Sequence, residues 1–135
     1  MLVMGQVTFN NLSKFFGSTN IINGLNLEIR DSEFLVLLGP SGCGKSTTLR
    51  LLAGLETVSS GTISIDGCDV TVLEPRERDI AMVFQNYALY PTMTVAQNIG
   101  FGLKAKKIPP KLIKEKVEEI SDLLGITNLL NRKPN

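Results

Sequence analysis

The stretch Gly39-Pro40-Ser41-Gly42-Cys43-Gly44-Lys45-Ser46-Thr47 decides the fold class of this chain. It fits the pattern G-x-x-x-x-G-K-[ST]. The apolar run 34–38 before it predicts a buried strand, and residues 46–53 after it predict a helix. A strand, a glycine-rich loop and a helix in this order are typical of a phosphate-binding loop, or P-loop. The alternative, a glycine-rich turn that only reverses the chain, is not favoured by these flanking elements.

In this interpretation, the glycines allow the loop backbone to bind anions. Gly39, Gly42 and Gly44 allow backbone conformations that a side chain would obstruct. The backbone N–H groups can then point inward and surround anionic oxygens. The following helix adds free N–H groups and the positive end of its dipole. We therefore predict that the loop binds the phosphates of a nucleotide.

The side chains at the end of the loop extend this prediction. Lys45 supplies a compact positive charge for the β- and γ-phosphates, and Ser46 offers a hydroxyl to Mg²⁺. Thr47 is predicted to lie near the α-phosphate. Cys43 occupies a variable position of the motif, where we expect a small side chain without a redox role.

Composition excludes several classes of function. The chain has 135 residues, which suits one domain or part of one, and a net charge of +1. No basic patch is interleaved with aromatics, so no nucleic-acid partner is expected. No segment resembles a signal peptide or approaches the roughly 20 apolar residues that cross a bilayer. Two cysteines without metal-ligand spacing suit a reducing cytosol, and the absence of histidine excludes His-based catalysis within the chain.

Hydrophobic periodicity predicts the other elements. Alternating apolar and polar residues predict half-buried strands at 7–9, 25–29 and 62–65, with turns at 16–20 and 66–67. A second fully apolar run predicts a buried strand at 80–84. Two helices are expected, one at 94–102 capped by Thr94 and one at 111–124 ended by Gly125.

These segments, in this order, resemble the nucleotide-binding subunit of an ATP-binding-cassette (ABC) transporter over essentially the whole chain. Besides the P-loop, the resemblance rests on LLAGLE at 51–56, SGTI at 60–63, DG at 66–67 and IAMVFQNYALYP at 80–91. The last string is similar to the Q-loop of importer ATPases that serve sugar and glycerol-phosphate uptake. Small kinases and GTPases share the phosphate loop but not this string.

The resemblance implies an α/β fold. It predicts a P-loop NTPase core of the RecA-like type, an antiparallel β subdomain and the start of an α-helical subdomain, together incomplete. Residues 1–135 would then be the N-terminal part of an ABC nucleotide-binding domain. Residues 1–93 would contain the β subdomain and the P-loop core up to the Q-loop, and residues 94–135 the start of the helical subdomain.

The resemblance also implies ATP and Mg²⁺ as cofactors and adds two residues to the site. Phe16 matches the aromatic that stacks on adenine, where the family more often has Tyr or Trp, and Phe15 is the alternative. Gln85 matches the residue that reaches Mg²⁺ and the attacking water. Lys45 and Gln85 are thus the catalytic candidates, and Ser46 and Gln85 are the metal-binding ones.

The partners that the resemblance implies are transmembrane permease subunits and a second ATP-binding subunit, in a homodimer at the cytoplasmic face of the membrane. Residues 86–91 would be the surface where a permease coupling helix docks, with a role in the local core as the alternative. The solute would be a sugar or glycerol phosphate, with polyamines still open.

The family's signature motif, Walker B aspartate, catalytic glutamate, D-loop and switch histidine have no match in these residues. We therefore expect negligible ATP turnover by the isolated chain, while the intact protein would be an ATPase. The alternative is a nucleotide-binding fragment without turnover. A nucleotide kinase is disfavoured because neither an acceptor-site lid nor a basic clamp is found.

Overall fold

The computed structural model of the chain describes residues 5–84 and 87–134. It forms two compact units, Met1–Met82 and Val83–Asn135. The predicted subdomain boundary between residues 93 and 94 stays a prediction. The regular elements in chain order are β1 (Val7–Phe16), β2 (Thr19–Ile29), α1 (Lys45–Leu52), β3 (Ser60–Ile65), β4 (Cys68–Asp69), α2 (Val95–Ala105) and α3 (Pro110–Leu123), with short 3₁₀ turns at Pro75–Glu77 and Thr127–Leu129.

The first unit contains an antiparallel sheet with the strand order β2-β1-β3-β4. Strands predicted at 7–9, 25–29 and 62–65 are confirmed, and each extends further than its local alternation indicated. The turn between β1 and β2 consists of Gly17 and Ser18, so it is shorter than the predicted turn at 16–20. Gly17 has φ 58. Asp66 and Gly67, at φ 49 and 74, join β3 to β4 in a tight hairpin, as predicted.

Helix α1 is anchored to this sheet through a small apolar core. Leu51 of α1 is fully buried together with Leu12 of β1 and Ile63 of β3. Burying a leucine side chain contributes about 1.5–3 kcal/mol. The core therefore fixes the helix that follows the glycine-rich loop against the sheet.

The apolar runs at 34–38 and 80–84 were predicted as buried strands, and both predictions are wrong. Neither run forms a strand, and Phe34 and Leu38 are 88% and 87% exposed. A strand needs a hydrogen-bonding neighbour. The sheet formed by the described residues pairs with neither run. Apolar character alone therefore did not create the strand or its burial.

The second unit contains α2 and α3. The hydroxyl of Thr94 accepts a hydrogen bond from the N–H of Gln97 at 3.2 Å, and the Gln97 side chain returns one to the N–H of Thr94 at 2.8 Å. This capping box confirms the predicted helix start. The helices approach closely at Gly100, where a Cβ would lie 2.9 Å from a methyl carbon of Ile113. Gly125, at φ 67, follows the end of α3 as predicted.

The apolar stripe predicted on α3 is only partly buried. Val117 and Ser121 are the buried residues of this helix. Leu112, Leu123 and Leu124 are exposed. Amphipathic spacing thus located the helix, but most of its apolar face does not enter a core formed by the described residues.

Candidate nucleotide-binding site

The backbone of the loop explains why glycine is required at its end. Gly42 and Gly44 have φ 83 and 95, a region that favours glycine. Gly44 is buried and directly precedes α1. A Cβ on Gly44 would lie 3.2 Å from the carbonyl oxygen of Ile21 in β2. Any other residue at position 44 would therefore strain the backbone and press against the sheet.

The start of α1 presents backbone donors. Thr48 donates its N–H to the Gly44 carbonyl at 2.8 Å, and its hydroxyl donates to the same oxygen at 3.0 Å. The preceding N–H groups of Lys45, Ser46 and Thr47 form no hydrogen bond with the residues that the structure describes. Free N–H groups at a helix start, together with the helix dipole, favour an anion.

The Lys45 ammonium lies over the loop. It donates to the carbonyl oxygens of Gly39 and Pro40, each at 2.7 Å, and contacts the sulfur of Cys43 at 3.4 Å. An ammonium has three donors, and a thiol is a weak acceptor. The donor that faces Cys43 can therefore turn to a phosphate oxygen while the two carbonyl contacts hold the side chain in place.

Ser46 fits the predicted role of a magnesium ligand. Its side chain is exposed, and its hydroxyl has no hydrogen-bond partner among residues 5–84 and 87–134. Within the same residues, no group of three or more Cys, Asp or Glu side chains is arranged to hold a metal ion. Mg²⁺ commonly takes one or two protein ligands and fills its sphere with phosphate oxygens and water. Ser46 suits that kind of site.

Two neighbouring aromatics remain candidates for base stacking. Phe16, the last residue of β1, is 48% exposed, and Phe15 is exposed as well. Only for Phe16 do the described contacts include a cation on the ring: Lys14 Nζ lies 4.7 Å from the ring centroid. The structure thus distinguishes the two rings by their surroundings, and the stacking role stays a prediction.

The ion pair beneath Phe16 was not predicted from the sequence. Lys14 Nζ donates to Glu56 Oε1 at 2.8 Å and to the Thr57 carbonyl at 2.7 Å. The signal available in the sequence was a lysine within a strand, two residues before the aromatic, where a charged side chain needs a partner if it is buried. Its partners lie more than forty residues away in sequence, which local patterns do not reveal.

This ion pair predicts a pH dependence of stability. The hydrogen bond from Lys14, and next the one from the Thr57 N–H, lower the pKa of Glu56 below its ordinary value of 4.5. A lowered pKa stabilises the fold above the unfolded-state value, and the contribution disappears as the pH falls through the folded-state value. Wild type should therefore exceed Glu56→Gln in thermal midpoint near neutral pH, and the difference should shrink to nothing in acid. A difference that is constant with pH would contradict this assignment.

Arg78 is a second residue whose role was missed. Its buried guanidinium donates to the carbonyls of Leu51 and Leu52 at 2.7 and 2.9 Å, of Leu73 at 2.9 Å and of Thr71 at 3.1 Å. Burial lowers the pKa of Arg78, but a guanidinium stays charged in proteins. The first two carbonyls are at the end of α1. The Leu51 carbonyl also accepts the Gly54 N–H at 3.1 Å, so Arg78 gives it a second, charged donor, and it supplies a donor to the Leu52 carbonyl of the last turn.

The remaining predicted functional residues belong to the segment that follows the first unit. Gln85 lies outside the described residues, so its role stays a prediction. Tyr87, Leu89 and Tyr90 of the predicted docking surface are exposed. The Tyr90 ring also lies 4.6 Å from the ring of Phe101, centroid to centroid. No helix in the described part of the chain is long and apolar enough to cross a bilayer.

Comparison with known proteins identifies the family of the chain. A family model described as ABC transporter matches residues 22–135, which include the whole P-loop. The chain belongs to the ABC transporter family. The family resemblance predicted from the sequence is therefore confirmed.

Relatives of this ABC transporter chain are ATP-binding proteins of import systems. The sn-glycerol-3-phosphate import ATP-binding protein UgpC of Bordetella avium is 54% identical over 97% of the chain. The diacetylchitobiose uptake system ATP-binding protein MsiK of Streptomyces coelicolor is 56% identical over 97% of it. The xylose/arabinose import ATP-binding protein XacJ of Haloferax volcanii is 56% identical over 98%. The chain spans only 37%, 35% and 35% of these relatives.

A solved structure supports the fold class. The structure of MJ1267, an ATP-binding cassette of an ABC transporter, superposes with a TM-score of 0.79 at 27% identity, covering 96% of this chain and 58% of MJ1267. The predicted α/β class, with an antiparallel sheet beside the P-loop and helices after it, is confirmed. The site residues themselves stay predictions.

Proposed function

We propose that this chain is the ATP-binding portion of an ABC importer ATPase subunit and that residues 39–47 bind the phosphates of Mg·ATP. The observation that carries the proposal is the juxtaposition of free N–H groups at residues 45–47 with the Lys45 ammonium above the loop. Both features belong to the same loop and helix start, and both provide positive potential and hydrogen-bond donors. A triphosphate supplies the matching acceptors and negative charge.

Each side chain has a role in this proposal. Lys45 contacts the β- and γ-phosphates, Thr47 lies near the α-phosphate, and Phe16 stacks on the adenine, with Phe15 as the alternative. Ser46 would hold Mg²⁺ together with Gln85, and the ion, when bound, neutralises charge on the phosphate oxygens. Gln85 would also orient the attacking water.

In the intact protein, two such subunits would act as a homodimer with permease subunits and couple ATP hydrolysis to solute uptake. The location would be peripheral, at the cytoplasmic face of the membrane. A sugar or glycerol phosphate is the favoured solute because the named relatives are import proteins for sn-glycerol 3-phosphate, diacetylchitobiose and xylose/arabinose.

Nucleotide binding without turnover is the second candidate function for these 135 residues themselves. Two carboxylates near the middle of the chain already have local structural partners. Asp69 accepts the N–H of Thr71 at 2.8 Å, and Glu77 accepts the N–H of Glu74 at 3.1 Å in a capping box. Neither is placed at the end of an apolar strand to polarise water, so negligible turnover is expected of the chain alone.

Binding and turnover are best measured on one sample of the full chain. A fluorescent ATP analogue should bind saturably in the presence of Mg²⁺, and both ATP and inorganic tripolyphosphate should displace it, since the loop contacts phosphates. Adenosine should displace it poorly. Phosphate release should stay at the rate of the buffer blank. Absence of binding would overturn the proposal, and release above the blank would mean that unidentified residues activate water.

A further inference from the structure

The Lys14 ammonium is held in a network that also supports Phe16. It donates to Glu56 Oε1 at 2.8 Å, to the Thr57 carbonyl at 2.7 Å and to the Thr57 hydroxyl at 3.3 Å. It also lies 4.7 Å from the centroid of the Phe16 ring, within cation–π range. A flexible lysine side chain is thereby fixed in one place beside an aromatic ring.

Lys14 and Phe16 differ strongly in exposure. Lys14 is 5% exposed, whereas Phe16 is 48% exposed. The cation therefore covers an inward face of Phe16, and solvent reaches the rest of the ring. A cation on one face draws the π electrons toward itself. The outward face then repels the π electrons of a stacked base less than a bare phenyl ring would.

The same network connects the aromatic to the P-loop helix. Glu56 lies four residues after the end of α1, and its neighbour Leu55 donates its N–H to the Arg50 carbonyl within α1 at 2.9 Å. The helix that presents the phosphate donors at its start is thus linked at its other end to the residue beneath Phe16. These contacts therefore link the position of the Phe16 ring to the position of α1.

We propose that Lys14 is a positioning residue that sets the preference of this site for a nucleotide base. By this proposal Lys14, held by Glu56 and Thr57, orients Phe16 and polarises its ring, so that a purine stacks on the outward face. The inference rests on the proposed function, because it concerns the base of a nucleotide whose phosphates bind residues 39–47. It predicts that Lys14 affects binding of the base and leaves binding of the phosphates unchanged.

The test compares ATP with inorganic tripolyphosphate, which has no base, on the full chain. Phe16→Ala should weaken ATP binding by about tenfold, because the base loses the aromatic face on which it stacks. Lys14→Met, similar in length but uncharged, should weaken it by about threefold to fivefold, and Lys14→Arg should retain binding. Tripolyphosphate binding should change by less than about twofold in all three. Phe15→Ala discriminates between the two candidate rings: a selective loss of ATP binding in this variant, with Phe16→Ala unaffected, would assign the stacking to Phe15 and overturn the role of Lys14.

A double variant separates positioning from a structural role. In the Phe16→Ala background, Lys14→Met should cause no further loss of ATP affinity, because its effect acts through the ring. The inference would be overturned if Lys14→Met weakened ATP and tripolyphosphate binding equally. It would also be overturned if Lys14→Met weakened ATP binding as much in the Phe16→Ala background as it does alone. If the wild-type chain does not bind tripolyphosphate, the proposed function is wrong instead.

A spectroscopic reporter keeps the test valid if Lys14→Met folds poorly. The chain has no tryptophan, so Phe16→Trp introduces a single one. Its emission should change on addition of ATP but not of tripolyphosphate, and Lys14→Arg should preserve that response. Emission that does not respond to ATP would contradict stacking on residue 16 and with it the role of Lys14.

Discussion

Replacing Lys45 by alanine is expected to weaken ATP binding by about a hundredfold or more. The ammonium is the one side-chain cation that the described contacts place on the loop, at 2.7 Å from both the Gly39 and Pro40 carbonyls. Losing a charged partner from a paired phosphate typically costs about 2–5 kcal/mol. Titration of the fluorescent ATP analogue into wild type and Lys45→Ala, with Mg²⁺ at fixed ionic strength, measures the effect.

The variant should remain folded, which makes its lost binding informative. The two carbonyls that Lys45 contacts are at an exposed loop, where water can replace the ammonium. Lys111→Ala, at an exposed position of α3, is the matched control for the loss of one positive charge and should bind as wild type does. Affinity within about threefold of wild type for Lys45→Ala would show that the phosphates bind elsewhere.

The second large effect concerns stability. Arg78→Met is expected to lower the free energy of unfolding by about 3 kcal/mol or more, because hydrogen bonds from a charged group are worth about 1.5–3 kcal/mol each and four carbonyls lose a charged donor. The carbonyls of Leu51 and Leu52 would be affected first, at the end of the helix that follows the P-loop. Urea unfolding followed by circular dichroism measures the change.

Two substitutions show whether the geometry of Arg78 matters. Arg76→Met removes the same side chain two residues earlier, where an exposed ion pair with Glu74 spans 3.1 Å, and should change stability by less than about 1 kcal/mol. Arg78→Lys keeps the charge but lacks the planar fork that reaches four carbonyls, so it should restore only part of the loss. Equal effects of the Arg76→Met and Arg78→Met variants would contradict a specific role for Arg78.

Local patterns predicted the elements whose causes are local. The hairpin turn at Asp66 and Gly67, the capping box of Thr94 and the end of α3 at Gly125 depend on residues within a few positions of one another. Their chemistry, positive φ at glycine or a side chain that accepts a backbone N–H, is set by the residue types themselves. The sequence was therefore sufficient to place them.

The two apolar runs show what local sequence patterns do not predict. Residues 34–38 and 80–84 have the composition of buried strands, but a strand and its burial depend on a neighbour that the run does not contain. The described sheet pairs with other residues, and Phe34 and Leu38 are exposed. The composition of these runs indicates a tendency to be buried, but whether they are buried depends on contacts with other parts of the chain.

By itself, the sequence determined the family, the position of the glycine-rich loop, three strands of the antiparallel sheet and the helices, since these depend on residue types at short, fixed spacings. Only the tertiary structure joined Lys14 to Glu56 and Phe16, and Arg78 to the end of α1. The physical reason is that a buried charge must find partners, and chain folding alone brings together partners that are distant in sequence.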